Sequence, residues 1–311
     1  MNKAESAATP LVVDTPMADS LSGGDSVRMV GAAIKLGEIV VFVDGQGDTA
    51  GILESAALLA EDHGAHLTGV FMQPLPASTP PEMFARGKGV WDVIDAHRTQ
   101  LEGIEAGHRT LFADAVRRHG IRSEWRSVPY WSGDVEVHAR YADLAVVARP
   151  DPARQTAGPP GLVESLVLTS GRPVIVLPPR STASRLSRIL IGWNAGREAA
   201  RAVADALPLL IRAAAVEVLV IDSERRRGDH GQEPGADIAR YLARHGAQVE
   251  VRRLSSDGED VGRLLLSQAA AFGADLLVMG AYGHARLNEL IFGGVTRTAL
   301  HDADLPVLMS R

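Results

Sequence analysis

The chain has 311 residues, 46% hydrophobic and 23% charged, with a net charge of −6 and no cysteine. This is the balance of a globular protein with a core, long enough for one large domain or two ordinary ones. It excludes disulfides and thiolate zinc sites, suits a reducing cytoplasm, argues against nucleic acid as the partner, and offers no window resembling a membrane span.

Residues 1–34 are rich in Ala, Ser, Gly, Asp and Thr and hold no apolar run long enough for a signal segment. They are expected to form an extension without ordered structure. Met29 offers an alternative start, so residues 1–28 need not belong to the native protein. From Glu38 the pattern alternates. A strand is predicted at 38–44, a helix at 49–65 and a second strand at 66–72, followed by a Pro-rich loop over 74–81. A long helix spans 92–119 and ends in RRHG. Then come a strand at 121–129, a short helix near 133–140, a strand at 142–148, a helix at 161–169 and a strand at 173–178.

The same order returns after a linker near 179–187. The strand RILIGWN (188–194) matches 38–44, a helix covers 196–213, and VEVLVID (216–222) matches 66–72. A helix again ends in RHG, at Arg244, His245 and Gly246. AQVEVRRL (247–254) and a helix at 260–272 follow. ADLLVMG (274–280) matches ADLAVVA, and LPVLMS (305–310) matches RPVIVL. The shared RHG, AD and PV at corresponding places indicate a tandem duplication, with domains at 35–180 and 186–311. Strands that are almost wholly apolar and alternate with helices imply parallel sheets buried on both faces. Each half is thus an α/β unit of about five strands. Its ligands belong beyond the C-terminal strand ends, where the strand order reverses.

Residues 280–296, GAYGHARLNELIFGGVT, carry Gly280, Gly283, Gly293 and Gly294 in two clusters. Glycine admits positive φ and close approach of backbone N–H groups, so the clusters read either as a phosphate cradle or as two turns. Gly280, two residues, Gly283, nine residues, Gly293 and a small residue, placed between a strand and a helix, form a recognisable pattern. Residues 188–311 resemble the universal stress protein family, and the duplication resembles its two-domain members.

The resemblance implies two tandem doubly wound, Rossmann-like domains, each a five-stranded, mainly parallel sheet of order 3-2-1-4-5. It also implies that an adenine nucleotide, expected to be ATP with Mg²⁺, lies at the reversal point of the second half. Adenine would lie near Asn194 and the residues Val220 to Asp222. Met279, Gly280, Gly283, His284, Arg286, Gly293, Gly294, Val295 and Thr296 complete the candidate site, with the phosphates at 280–296. A helix opening at Gly293, Gly294 and Val295 would present unpaired N–H donors and a partial positive charge.

Two positions depart from the family pattern. Gly294 stands where nucleotide-binding members have Ser or Thr, with Thr296 two residues on. Asn194 stands where an Asp is usual, and it reads either as a ligand-binding amide or as the N-cap of the following helix. His284 and Arg286 are chemically suited to phosphate, against which stands the plainer reading of each as part of a solvated loop.

The first half keeps Asp44 but sets Ala148 against Gly280, Asp151 against Gly283, and Pro160 and Gly161 against Gly293 and Gly294. A proline lacks the N–H and a carboxylate repels phosphate, so one nucleotide per chain is expected. No metal-ligand spacing, nucleophile elbow or Walker loop occurs, and no catalytic residue is assigned. Ser132 and Ser255 read as helix caps. The reading is a cytoplasmic stress-response module regulated by its nucleotide. Alternatives are an interaction scaffold that binds none and a slow nucleotide hydrolase, for which no general base is evident. The partners expected are the nucleotide, the other half of the chain in an intramolecular pseudo-dimer, a second tandem chain in a homodimer, and an unidentified protein. The closing strands, 173–178 and 305–310, are expected at or near the interface between halves.

Overall fold

The apolar runs form strands and the stretches of helical period between them form helices. In chain order these are β1 (Glu38–Val43), α1 (Thr49–His63), β2 (His66–Gln73), α2 (Lys88–His119), β3 (Ser123–Pro129), α3 (Val137–Arg140), β4 (Leu144–Ala148), α4 (Leu162–Thr169) and β5 (Val174–Leu177). The second half gives β6 (Arg188–Gly192), α5 (Arg197–Leu210), β7 (Ala215–Ile221), α6 (Ala236–Arg244), β8 (Val249–Leu254), α7 (Val261–Phe272), β9 (Leu276–Gly280), α8 (Gly294–Asp302) and β10 (Val307–Ser310). The computed structural model describes residues 35–44, 48–73, 88–129, 135–150, 161–179, 181–223, 233–281 and 294–311, with the side chains of 88–94 and 97 excepted. All of these fall within the unit Ile34–Arg311. The expectations for residues 1–34 lie outside the described residues.

Boundaries differ from expectation where side-chain pattern and backbone hydrogen bonding part company. The long helix starts at Lys88 rather than 92. The helix expected over 196–213 closes at Leu210, where the Ile211 N–H turns back to the carbonyls of Leu207 and Leu209. Both RHG segments end their helices on a left-handed glycine, Gly120 at φ 63° and Gly246 at φ 91°, a conformation that glycine adopts without strain.

The ten strands of the described residues form one sheet of order β3-β2-β1-β4-β5-β10-β9-β6-β7-β8. Each half has the order 3-2-1-4-5 and is parallel throughout, as expected for a doubly wound α/β unit. The two five-stranded sheets are joined by one antiparallel pair, β5 with β10, in the register Val307 to Val176, Leu308 to Ile175 and Met309 to Val174. In the parallel registers Ala145 faces Val174, while Leu277 faces Val307, so Ile175 and Leu308 are equivalent positions. Each therefore pairs with its own counterpart. A pseudo-twofold axis runs between them, the isologous arrangement of a C₂ interface within one chain.

Side-chain alternation divides the core into two layers. On one face α1, α2, α5 and α6 cover Ile39, Val41, Ile189, Ile191, Val278 and Leu308. On the other, α3, α4, α7 and α8 cover Val40, Phe42, Leu190, Leu277 and Met309. A central strand buried on both faces removes nearly every side chain from water, which for residues of this size stabilises by roughly 1.5–3 kcal/mol each. That is why the strands read as continuous apolar runs.

The repeated AD dipeptide has a structural reason. Asp143 Oδ2 accepts from the N–H groups of Gly37 and Glu38, at 2.7 and 3.1 Å. Asp275 Oδ2 accepts from those of Ser187 and Arg188, at 3.0 and 2.9 Å. In each half the carboxylate just before strand 4 clamps the start of strand 1.

Candidate functional site

The strand registers carry the candidate residues to one edge of the sheet. Gly192, last in β6, pairs with Met279 on one side and Leu219 on the other. Asn194, Gly280 and Asp222 lie one to three residues beyond these level positions, at the C-terminal ends of strands 1, 4 and 2 of the second half. This is the reversal point where open α/β sheets bind ligands.

Gly280 is explained by packing. A Cβ built there would lie 2.5 Å from the Glu198 carbonyl carbon and closer still to the Ala199 nitrogen. The missing side chain lets the first turn of α5 close directly onto the end of β9. In the first half the equivalent residue is Ala148, for Ala148 pairs with Leu177 as Gly280 pairs with Ser310. A narrow cleft at that place is lined by Phe42, Asp44, Thr49, Met72, Ala148 and Leu162.

Asn194 is exposed, and its side chain turns back on the chain: Oδ1 accepts from the Gly196 N–H at 2.9 Å. The N-cap of α5 is Gly196 itself, so the capping alternative is corrected: the Asn194 amide braces the turn before the helix. Ala195 between them is left-handed, at φ 57°. Trp193 is half-buried against the core. Asp222 is also left-handed, at φ 54°, and half-buried. Its Oδ1 accepts from the Ser256 N–H at 2.7 Å and its Oδ2 from the Ser256 hydroxyl at 2.6 Å. Val220 and Met279 are buried in opposite core layers, at 0% and 5% exposure, so neither side chain is available to a ligand.

On the far side of the crevice, Gly294 begins α8 and is exposed, with nothing among the described residues within 4 Å of a Cβ added there. Val295 packs on the core, and Thr296 is buried and engaged. Gly283, His284, Arg286 and Gly293 lie outside the described residues.

The first turn of α8 carries no acidic residue, and its fourth residue is Arg297. The matching helix of the first half, α4, has Glu164 in its first turn, behind a left-handed Gly161 at φ 77°. Pro173 and Pro306 precede equivalent strands, which makes Glu164 the counterpart of Arg297. At the same helical position one half carries an arginine and the other a carboxylate.

Two further residues escaped the sequence reading. Glu198 is buried in the first turn of α5 and pairs with Arg197 at 2.6 Å, which raises the Arg197 pKa. Ser256 is 3% exposed and holds Asp222. The run SSDGED after β8 was the signal available for it. Ser255, read as a cap, instead bonds Asp257 in the loop, at 2.7 Å from its Oδ1, and the N-cap of α7 is Asp260. Among the described residues no group of three or more His, Asp or Glu is placed to hold a metal ion, and no helix is long and apolar enough to cross a membrane.

Residues 185–311 match the Universal stress protein family. No curated protein matches the chain. A universal stress protein from Archaeoglobus fulgidus has a similar structure, with a TM-score of 0.63 at 13% identity, over 88% of this chain and 96% of that one. A protein from Pseudomonas aeruginosa UCBPP-PA14, named a putative universal stress protein, gives 0.55 at 16% identity, over 88% and 93%. A functionally unknown protein from Pseudomonas aeruginosa PAO1 gives 0.57 at 15%, over 88% and 92%. The second half is thus a universal stress protein domain, and the whole chain has the two-domain fold of solved universal stress proteins.

Proposed function

We propose that the chain is a cytoplasmic stress-response protein whose second domain binds one adenine nucleotide, ATP with Mg²⁺, and transmits its occupancy to a protein partner. The observation that carries this reading is the charge reversal between repeats. The α8 N-terminus, free of acidic residues in its first turn and followed by Arg297, suits phosphate, whereas Glu164 opposes it at the same place in α4. The phosphates belong at 280–296, and adenine near Asn194 and residues 220–222. Asn194 and the first turn of α8 would hold the ligand by amide and backbone N–H donors.

Titration calorimetry with ATP and Mg²⁺ tests the reading, with one site per chain expected. Because ligand binds the native state, the melting temperature should rise with ATP concentration. Absence of heat and of a thermal shift at millimolar ATP would leave an interaction scaffold as the function. One observation favours that second reading: Gly280, the first glycine of the motif, is required by the packing of α5 whether or not a ligand binds.

A further inference from the structure

The segment that joins the two halves, between β5 and β6, is tied down by charge. From Ser181 to Ser187 it runs without helix or strand along α1. At one end the Ser181 carbonyl oxygen packs on the start of α1, 2.7 Å from where a Cβ on Gly51 would stand. At the other, Arg185 pairs with Asp62 and, at 3.3 Å, with Glu61 Oε2, both in the last turn of α1. Between these ties the linker covers a small cavity lined by Leu59 of α1, by its own Ser184 and Leu186, and by Ile175 and Pro306 beside the seam of the halves.

The same Glu61 oxygen holds a second cation. His119, the last residue of α2, has Nδ1 3.0 Å from Glu61 Oε2 and Nε2 2.8 Å from Glu54 Oε1, with its side chain 14% exposed. Carboxylates only accept, so both ring nitrogens donate and the ring is the imidazolium. Arg118 pairs with Glu54 as well. Among the described residues, then, Glu54, Glu61 and Asp62 of α1 meet Arg118 and His119 of α2 and Arg185 of the linker. Burial alone would lower the His119 pKa, but the bonds to Glu54 and Glu61 outweigh it and raise the pKa above 6.5. The other RHG segment is the internal control: His245 is exposed and its Nδ1 donates to the carbonyl of Tyr241 in its own helix, at 2.9 Å.

We propose that His119 is a proton-controlled switch on the interdomain linker, passing Glu61 between the end of α2 and Arg185. With the ring charged, one carboxylate oxygen serves two cations that repel each other, so each weakens the other's hold. When the ring gives its proton to solvent, Nε2 keeps its N–H toward Glu54, the shorter contact, which Arg118 also fixes. Nδ1 then turns a lone pair on Glu61 and repels it. Glu61 is left to Arg185, and the linker tightens on α1 while the end of α2 loosens. The signs follow from the raised pKa: the α1–α2 contact is complete below pH 6.5 and fades as pH rises through the folded value, and the linker tie gains over the same range. None of this requires a nucleotide.

Trypsin tests this on the full chain, because it must draw the Arg185 side chain out of its ion pairs before cutting after it. Cleavage after Arg185 is followed by mass spectrometry between about pH 6 and 8.5, the range in which a histidine switch acts. Its rate is taken relative to that of a free peptide of residues 179–190 at each pH, which cancels the pH dependence of the protease. NMR signals of the two rings, recorded over the same range, locate the titrations of His119 and His245. Relative cleavage should fall about threefold as His119 loses its proton, the scale of one exposed ion pair, at a pH above that at which His245 titrates. The fall should be absent in His119→Gln and in Glu61→Gln and retained in His245→Gln, with melting temperatures confirming that each variant folds. Should His119→Gln fail to fold, Glu61→Gln decides. A relative rate that stays level or rises through the His119 titration, or that falls equally in either of the first two variants, would overturn the proposal.

Discussion

Two glycines of one motif have opposite physical grounds. At Gly280 an added methyl would run into the backbone of α5, which cannot turn aside as a flexible side chain can. Gly280→Ala should therefore lower unfolding free energy by about 1–3 kcal/mol, the usual range for overpacking, as measured by denaturant midpoint. At the start of α8 an added Cβ on exposed Gly294 meets nothing among the described residues, so Gly294→Ser should leave stability within about 0.5 kcal/mol of the parent, the usual range at an exposed site away from packing. Since it adds a hydroxyl beside the proposed phosphate position, it should also tighten ATP binding in titration. A second residue-scale prediction concerns His63, which is 6% exposed at the end of α1. Burial, aided by Arg212, lowers its pKa from 6.5 to about 4. Its Nδ1 meets no hydrogen-bond partner among the described residues. The neutral form is the one that folds, so this stability is complete above pH 6.5 and is lost as pH falls from 6.5 toward 4. The slope reaches up to ~1.4 kcal/mol per pH unit. His63→Leu should flatten that acid limb in denaturation curves recorded between pH 4 and 7. His119 runs the other way. Burial would lower its pKa, but bonds to Glu54 at 2.8 Å and Glu61 at 3.0 Å outweigh burial and raise it. Its contribution is present below its unfolded pKa and fades as pH rises through the folded one.

At the scale of elements, the repeats share a device that periodicity does not express. Asp143 and Asp275 each satisfy two N–H groups where strand 1 begins. Bonds of N–H groups to a carboxylate are among the stronger hydrogen bonds of a fold. Asp143→Ala and Asp275→Ala should each cost about 1–2 kcal/mol, with the two losses similar and additive in the double variant. Thermal or chemical unfolding of the three proteins would check this. The same comparison of elements separates the two crevices. Ala148 in place of Gly280, and Glu164 in place of Arg297, change helix approach and helix-end charge in one half only. The duplication thus conserved the clamps that build the sheet and diverged at the strand ends, where no packing constraint holds both copies alike.

The whole molecule is organised about the antiparallel pair β5–β10. It consumes the edge strand of each half, and unpaired edges are where sheets associate. The outer edges, β3 and β8, carry Glu124, Arg126, Glu250, Arg252 and Arg253, charges of the kind that discourage further strand addition. Leu308 sits on the pseudo-axis at 0% exposure opposite Ile175. Leu308→Asp should place an unpaired carboxylate in the seam and uncouple the halves. A single unfolding transition, followed by tryptophan fluorescence in which Trp193 reports the second half and Trp91, Trp125 and Trp131 the first, should become two. A sharp single transition with an unchanged midpoint would show that the seam does not couple them.

Much of this was legible in the sequence because it depends on local pattern. Apolar runs buried on both faces, helices at 3.6-residue spacing and the repeated RHG, AD and PV segments determine a duplicated α/β fold without reference to distant contacts. The glycine spacing and the resemblance it carries located the crevice, since strand ends follow from strand order. What the sequence could not decide is how side chains spend their hydrogen-bonding capacity. Asn194 looked like a ligand-binding amide or a helix cap, and folding turned its oxygen onto Gly196. Asp222 looked like a ligand-facing carboxylate, and folding gave it to Ser256, 34 residues away. Gly280 looked like a backbone cradle, and its need for glycine came from the α5 backbone, some eighty positions earlier in the chain. Such pairings depend on which backbone groups the packed helices and strands bring within reach, and that is settled only when the two core layers close on the sheet.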